Sequence, residues 1–141
     1  MRISRTLLAA ISVLFVVGVV TQVFLAGLFL FAGVERTWHI EFGYYLELPP
    51  LLALLLLWPA RTGRRIRWLT IALAVDVFVQ TSLPYFAGSA PVVAALHPVN
   101  ALLVLWLGVT LATATVTLAR GTATSRADAN PADAVSPAEA G

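Results

Sequence analysis

Two histidines and five polar residues carry most of the chemical potential of this sequence. The histidines are His39 and His97. The others are Gln22, Glu47, Asp76, Gln80 and Asn100, each within or at the edge of a long apolar run. Polar groups in such surroundings are costly and turn inward, where they mark a site or hold helices together. An imidazole nitrogen is a common axial ligand of haem iron, and helical bundles build cofactor sites from side chains on facing helices. His39, Gly43 and Glu47 stand at i, i+4 and i+8, so they share one helix face. His97 and Ala101 repeat the ligand followed one turn later by a small residue. A small residue there lets a flat macrocycle approach the helix. Gly18, Gln22 and Ala26 form a similar small face. The expectation is a b-type haem between His39 and His97, with Gly43 and Ala101 leaving room for it. Covalent attachment is excluded, since no C-x-x-C-H occurs. Two histidines and scattered carboxyls also fall short of the three or four ligands that zinc takes.

Each of these residues has a plainer reading. A histidine at a membrane interface serves as a solvated or hydrogen-bonded surface residue, and His97 precedes Pro98, which disfavours helical geometry at position 97. Asp76 and Gln80, one turn apart, can be a structural hydrogen-bonded pair. The sharper alternative for the carboxyls is a proton or cation relay from Asp76 through Glu47 to the outer face. No nucleophile–base pair is visible, so an enzyme is the least supported class.

These residues have to be positioned by helices in a bilayer. Of 141 residues 60% are hydrophobic and only 11% charged, with a mean hydropathy of +0.89, too few charges for a water-facing surface. Crossing the hydrocarbon takes about 20 apolar residues. Four stretches answer that description, about 6–31, 40–58, 66–86 and 91–119. The first is too long for the apolar core of a cleaved signal. Pro49-Pro50 should break or kink the second span just below Glu47. The expected fold is an all-α integral membrane four-helix bundle, up-down-up-down, spanning 1–120. A disordered cytoplasmic tail over 121–141, rich in Ala, Thr, Ser, Asp and Pro, follows it.

All nine basic residues are arginine. Eight flank the ends at which Arg2, Arg5, Arg61, Arg64, Arg65, Arg67, Arg120 and Arg126 fall, and only Arg36 lies on the other side. Short cytoplasmic loops retain positive charge, which puts both termini in the cytoplasm of a plasma-membrane protein. Trp38, Tyr44, Tyr45 and Tyr85 then fall at the outer interface, Trp58 and Trp68 at the inner one. Arginines scattered at helix ends do not form the basic face that nucleic acid requires. The absence of cysteine excludes disulfides, Fe–S clusters and thiolate metal sites.

At about 1.5 Å of rise per residue, the five polar residues form one layer in the outer half of the bundle, with the histidines capping it. The layer carries an internal repeat. Gln22 to His39 and Gln80 to His97 are the same interval, so one shift along the chain superposes both pairs. That shift also sets Leu25 on Leu83 and Gly43 on Ala101. Two parallel helix hairpins related by a pseudo-two-fold axis along the membrane normal would produce this, and would bring the histidines to equal depths.

The runs Gln22-Val23-Phe24-Leu25-Ala26-Gly27 and Leu96-His97-Pro98-Val99-Asn100-Ala101 resemble those of an uncharacterised family of small four-span bacterial membrane proteins. The resemblance covers roughly Leu7 to Ala119 and implies a topology without an activity. The layout is also similar to one four-helix half of haem A synthase and to other b-type membrane cytochromes. In those proteins histidines on the second and fourth helices flank a haem near the outer surface. That resemblance implies His39 and His97 as ligands. The chain departs from haem A synthase in having a single half, without its longer extracellular loop and cysteine pair, which puts haem A synthesis itself in doubt. The functional expectation is a redox-accessory haem protein exchanging electrons with quinone or a larger respiratory membrane complex. The alternative is a non-haem accessory subunit or transporter-like protein with a polar intramembrane pocket.

Overall fold

The computed structural model describes residues 1–127, all helix and connecting turn with no strand among them. Helix α1 runs Arg2–Ala32. It stops at Gly33, whose φ of 68° is open to glycine at little cost. The Val34 amide then turns back to donate to the Leu28 carbonyl at 3.3 Å, closing the helix end.

The second apolar stretch is two helices, α2 (Arg36–Tyr45) and α3 (Leu48–Leu56), separated at Leu46–Glu47. Pro49-Pro50 produces the expected break by occupying the first turn of α3, where a missing N–H costs nothing. Neither piece alone is long enough to cross a membrane. Helix α4 (Arg64–Ser82) continues into a 3-10 turn over Leu83–Ala87. A single turn, α5 (Pro91–Ala94), leads to α6 (His97–Ala127). Pro98 sits at the start of α6, and His97 therefore opens that helix. The expected tail from 121 overlaps the end of α6, and its remainder, 128–141, lies outside the described residues.

Three helices are long and apolar enough to cross a membrane: Arg2–Ala32, Arg64–Ala87 and Pro91–Gly121. Large side chains such as Val17, Phe24, Leu55, Phe78, Leu102 and Trp106 face outward. A water-soluble monomer does not expose so continuous an apolar surface. The chain reads as a membrane protein.

The helices form four columns in a ring: α1 beside α2 and α3, α3 beside α4, α4 beside α6, and α6 back against α1. The core follows a heptad rhythm on two of them. On α1 the buried stripe is Leu8, Ser12, Phe15 and Val19; on α4 it is Ile66, Thr70, Leu73 and Val77. Each residue of the second stripe lies 58 positions after its counterpart in the first, the same shift that carries Gln22 onto Gln80. The likeness extends to bonding. Ser12 Oγ donates to the Leu8 carbonyl and Thr70 Oγ1 to the Ile66 carbonyl, both at 2.8 Å. Lipid tails are as apolar as leucine, so such a core is held mainly by close packing. Small buried residues, Ala9, Ala53 and Ala60 among them, allow that approach.

Candidate functional site

The buried stripes of α1 and α4 both end in glutamine, three residues beyond Val19 and Val77. There the core turns polar. Gln22 Nε2 donates to the backbone carbonyl of His39 at 2.7 Å, and His39 Nδ1 returns to the backbone carbonyl of Gln22 at 3.2 Å. The second half repeats this atom for atom. Gln80 Nε2 donates to the His97 carbonyl at 3.0 Å, and His97 Nδ1 lies 3.0 Å from the Gln80 carbonyl. We call each reciprocal pair a clasp.

A carbonyl oxygen only accepts, so in both clasps Nδ1 carries the ring proton. In the neutral ring each Nε2 is then the nitrogen that carries the lone pair. The glutamine amide approaches it at 3.4 Å in one half and 3.5 Å in the other, at the outer limit of a hydrogen bond. The two rings meet each other, with centroids 6.2 Å apart and planes at 81°. The site is thus a T-shaped pair of half-buried imidazoles, each held through Nδ1 by a backbone carbonyl.

Gly43 serves the first clasp directly. A Cβ there would come within 2.9 Å of Gln22 Nε2, so the bare backbone admits the amide that grips His39. Ala101, its counterpart, is half-buried on α6. Sequence reasoning picked out Gly43 as clearance for a cofactor; this contact with a neighbouring glutamine depends on how the hairpin is packed, and spacing along one helix does not reveal it.

The halves differ in what surrounds the clasps. Asn100 Nδ2 donates to Gln80 Oε1 at 2.9 Å. In the first half the corresponding position is Phe42, and Gln22 Oε1 is buried without a hydrogen-bond partner among the described residues. Where α1 has Gly18, packed against the Leu46 and Phe42 side chains, α4 has Asp76. The Asn100 side chain faces that carboxyl, whose Oδ2 is buried without a hydrogen-bond partner among the described residues. Four of the five layer residues therefore belong to the two clasps and their surroundings. Glu47 stands apart, half-buried at the α2–α3 break, with no side-chain hydrogen bond to the others among the described residues. Near the same end, the Tyr44 and Tyr85 hydroxyls meet at 2.7 Å and tie α2 to the 3-10 turn.

No cluster of three or more His, Cys, Asp or Glu side chains suited to a metal ion occurs among the described residues. Two imidazoles can complete coordination only for a metal that brings its other ligands with it.

Residues 22–88 match the model of a family of unknown function, DUF6220. The matched segment begins at Gln22 and takes in His39, Gly43, Asp76 and Gln80, stopping short of His97 and Asn100. No curated protein and no solved structure matches the chain, haem A synthase and the b-type cytochromes included. The chain is similar, over just under half its length, to a family without an assigned activity.

Proposed function

We propose that this protein is a small b-type membrane cytochrome that holds haem between His39 and His97 and passes single electrons. The observation that carries the reading is the close approach of the two imidazoles, one from each half, with centroids 6.2 Å apart. Metal–imidazole bonds of about 2 Å on either side of one iron place the two ring nitrogens about 4 Å apart. A centroid separation of 6.2 Å is of the size that two imidazoles sharing one iron would have if their Nε2 atoms pointed at each other. A metal-ligating histidine usually donates its other N–H to a carbonyl or carboxylate, and both Nδ1 atoms do so. The macrocycle would supply the four remaining nitrogens, which answers the shortage of protein ligands. Haem would provide the one-electron couple, and His39 and His97, held through Nδ1 by the Gln22 and Gln80 carbonyls, would hold it.

In this reading the chain crosses the plasma membrane four times, with the broken α2–α3 column as the second crossing and both termini in the cytoplasm. Arg5 Nε bonds the Ala60 carbonyl at 2.9 Å, which gathers the N-terminal arginines and the arginine-rich α3–α4 loop at one end. The clasps lie toward the other end, where the Tyr44–Tyr85 pair meets the surface. Quinone or a larger respiratory complex would be the electron partner.

A second reading has its own observation. Buried, unpartnered Gln22 Oε1 and Asp76 Oδ2 suit a polar pocket for a small solute or ion in an accessory or transporter-like subunit. An absorption spectrum of the purified protein, oxidised and then dithionite-reduced, separates the two. A Soret shift with sharp α and β bands, lost in His39→Ala or His97→Ala, supports the cytochrome. A featureless visible spectrum from haem-replete cells overturns it in favour of the pocket.

A further inference from the structure

The arginines are shared unevenly between the two ends of the bundle. Arg61, Arg64, Arg65 and Arg67 fall within seven residues, and all four are exposed. Arg5 Nε donates to the Ala60 carbonyl at 2.9 Å, which sets the start of α1, with exposed Arg2, beside them. Helix α6 comes to the same end with exposed Arg120. No Asp or Glu precedes Glu35 and none lies between Glu47 and Asp76, so these two segments bring no carboxylate to balance the charge.

The turn that carries the arginines is firmly seated. Ala60 is fully buried and Thr62 is 7% exposed, so the chain is pinned on both sides of Arg61. The Ala60 amide donates to the Leu56 carbonyl and the Arg61 amide to the Trp58 carbonyl, both at 3.0 Å. Arg61 has a φ of 48°, a left-handed conformation that glycine would adopt at less cost. Trp58 and Trp68, 88% and 58% exposed, bracket the cluster as indoles do where a helix meets lipid headgroups. Guanidinium groups grip phosphate oxygens two at a time. Four or more of them directly beside a membrane helix attract anionic lipid. A zwitterionic headgroup carries its own ammonium, which the arginines repel.

We propose that the arginine end is a binding site for anionic phospholipid, whose phosphate is held by Arg61, Arg64, Arg65 and Arg67 and whose source is the bilayer around the helices. The inference needs the helices to cross a membrane and is independent of the cytochrome reading.

The test is quenching of tryptophan fluorescence by brominated lipid in vesicles holding the full-length protein. With Trp38→Phe and Trp106→Phe, the emission comes from Trp58 and Trp68 at the arginine end. Brominated phosphatidylglycerol in plain phosphatidylcholine, and the reverse pair, give the relative affinity of the two lipids there. Phosphatidylglycerol should be preferred at least about five-fold, the worth of one arginine at a charged membrane surface. With Trp38 as the sole tryptophan, no preference should appear. Arg61→Gln, Arg64→Gln, Arg65→Gln and Arg67→Gln together should abolish it at Trp58 and Trp68. If that variant fails to fold, Arg61→Gly decides. It relieves the left-handed backbone, so it should keep or raise the melting temperature while weakening the preference. Equal affinity for the two lipids at Trp58 and Trp68 overturns the proposal, as does an equal preference at Trp38. A preference that survives removal of the arginines overturns it too. Sodium phosphate, set against chloride at matched ionic strength, should leave the quenching unchanged. Selective relief by phosphate would overturn the lipid assignment in favour of free phosphate.

Discussion

Gln80 accepts a hydrogen bond from Asn100 at 2.9 Å, and the equivalent Gln22 has no such donor because Phe42 stands in that place. A satisfied acceptor and a stranded one thus occupy matching positions in the two halves. Leaving a buried acceptor unpaired costs about 1–3 kcal/mol in water-soluble proteins. In a bilayer the measured worth of interhelical polar contacts is smaller, about 0.6–2 kcal/mol.

Asn100→Leu should therefore destabilise the bundle by about 1–2 kcal/mol by stranding Gln80 Oε1 as Gln22 Oε1 already is. Phe42→Leu, which removes no donor, should cost less. Tryptophan fluorescence followed through thermal unfolding in detergent compares the two, and equal losses would show that the Asn100–Gln80 bond contributes nothing.

Gly43→Ala should displace the Gln22 amide from its 2.7 Å bond to the His39 carbonyl, because the added Cβ comes to 2.9 Å from Gln22 Nε2. A loss of roughly 1 kcal/mol is expected, the worth of one net hydrogen bond. Gly27→Ala is the control. It lies inside α1 with nothing within 4 Å of the new methyl, so it should be neutral or stabilising through helix propensity. If both variants melt together, the clasp does not depend on a bare backbone at 43.

Phe15 is 2% exposed, and a Cβ at Gly108 would lie 3.1 Å from its ring. Phe15→Ala should open a cavity between α1 and α6 and cost about 3 kcal/mol, at the low end for a buried aromatic. Gly108→Val should cost about 1–3 kcal/mol from the opposite fault, overpacking. The double variant should recover part of the loss. Strict additivity of the two would contradict the contact.

The broken α2–α3 column has a direct topological test, since the chain contains no cysteine. A single cysteine at Thr37 should react with an impermeant maleimide added to intact cells. One at Gly63 should react only after permeabilisation. Labelling of both from the same side would mean that residues 36–56 do not cross, and the four-crossing reading would fall.

The glutamine–histidine interval was legible in the sequence because polar residues in apolar runs stand out, and the structure turns that interval into two matching clasps. The break in the second stretch was legible too, since proline leaves few choices. The repeated core stripe was not. Leu8 with Ile66, Ser12 with Thr70 and Phe15 with Leu73 agree in burial and bonding while differing in identity. Packing tolerates such swaps, and letter-by-letter matching misses them. The clasp atoms were hidden for another reason. Spacing places residues on a face, whereas the partners of Gln22 Nε2 and His39 Nδ1 belong to a different helix. Glu47 had seemed part of the polar layer by depth alone. It lies at a helix break, where depth along an ideal axis no longer fixes position.

In an assembly of two separate identical hairpins, every substitution would land twice, and a donor gained beside one histidine would appear beside the other. Joining both hairpins in one chain removes that constraint. Phe42 and Asn100, or Gly18 and Asp76, can then diverge independently while the clasps themselves stay alike. The near-symmetry retained at Gln22, His39, Gln80 and His97 marks what both halves must do. The differences around it mark where a single gene is free to give each half its own temperament.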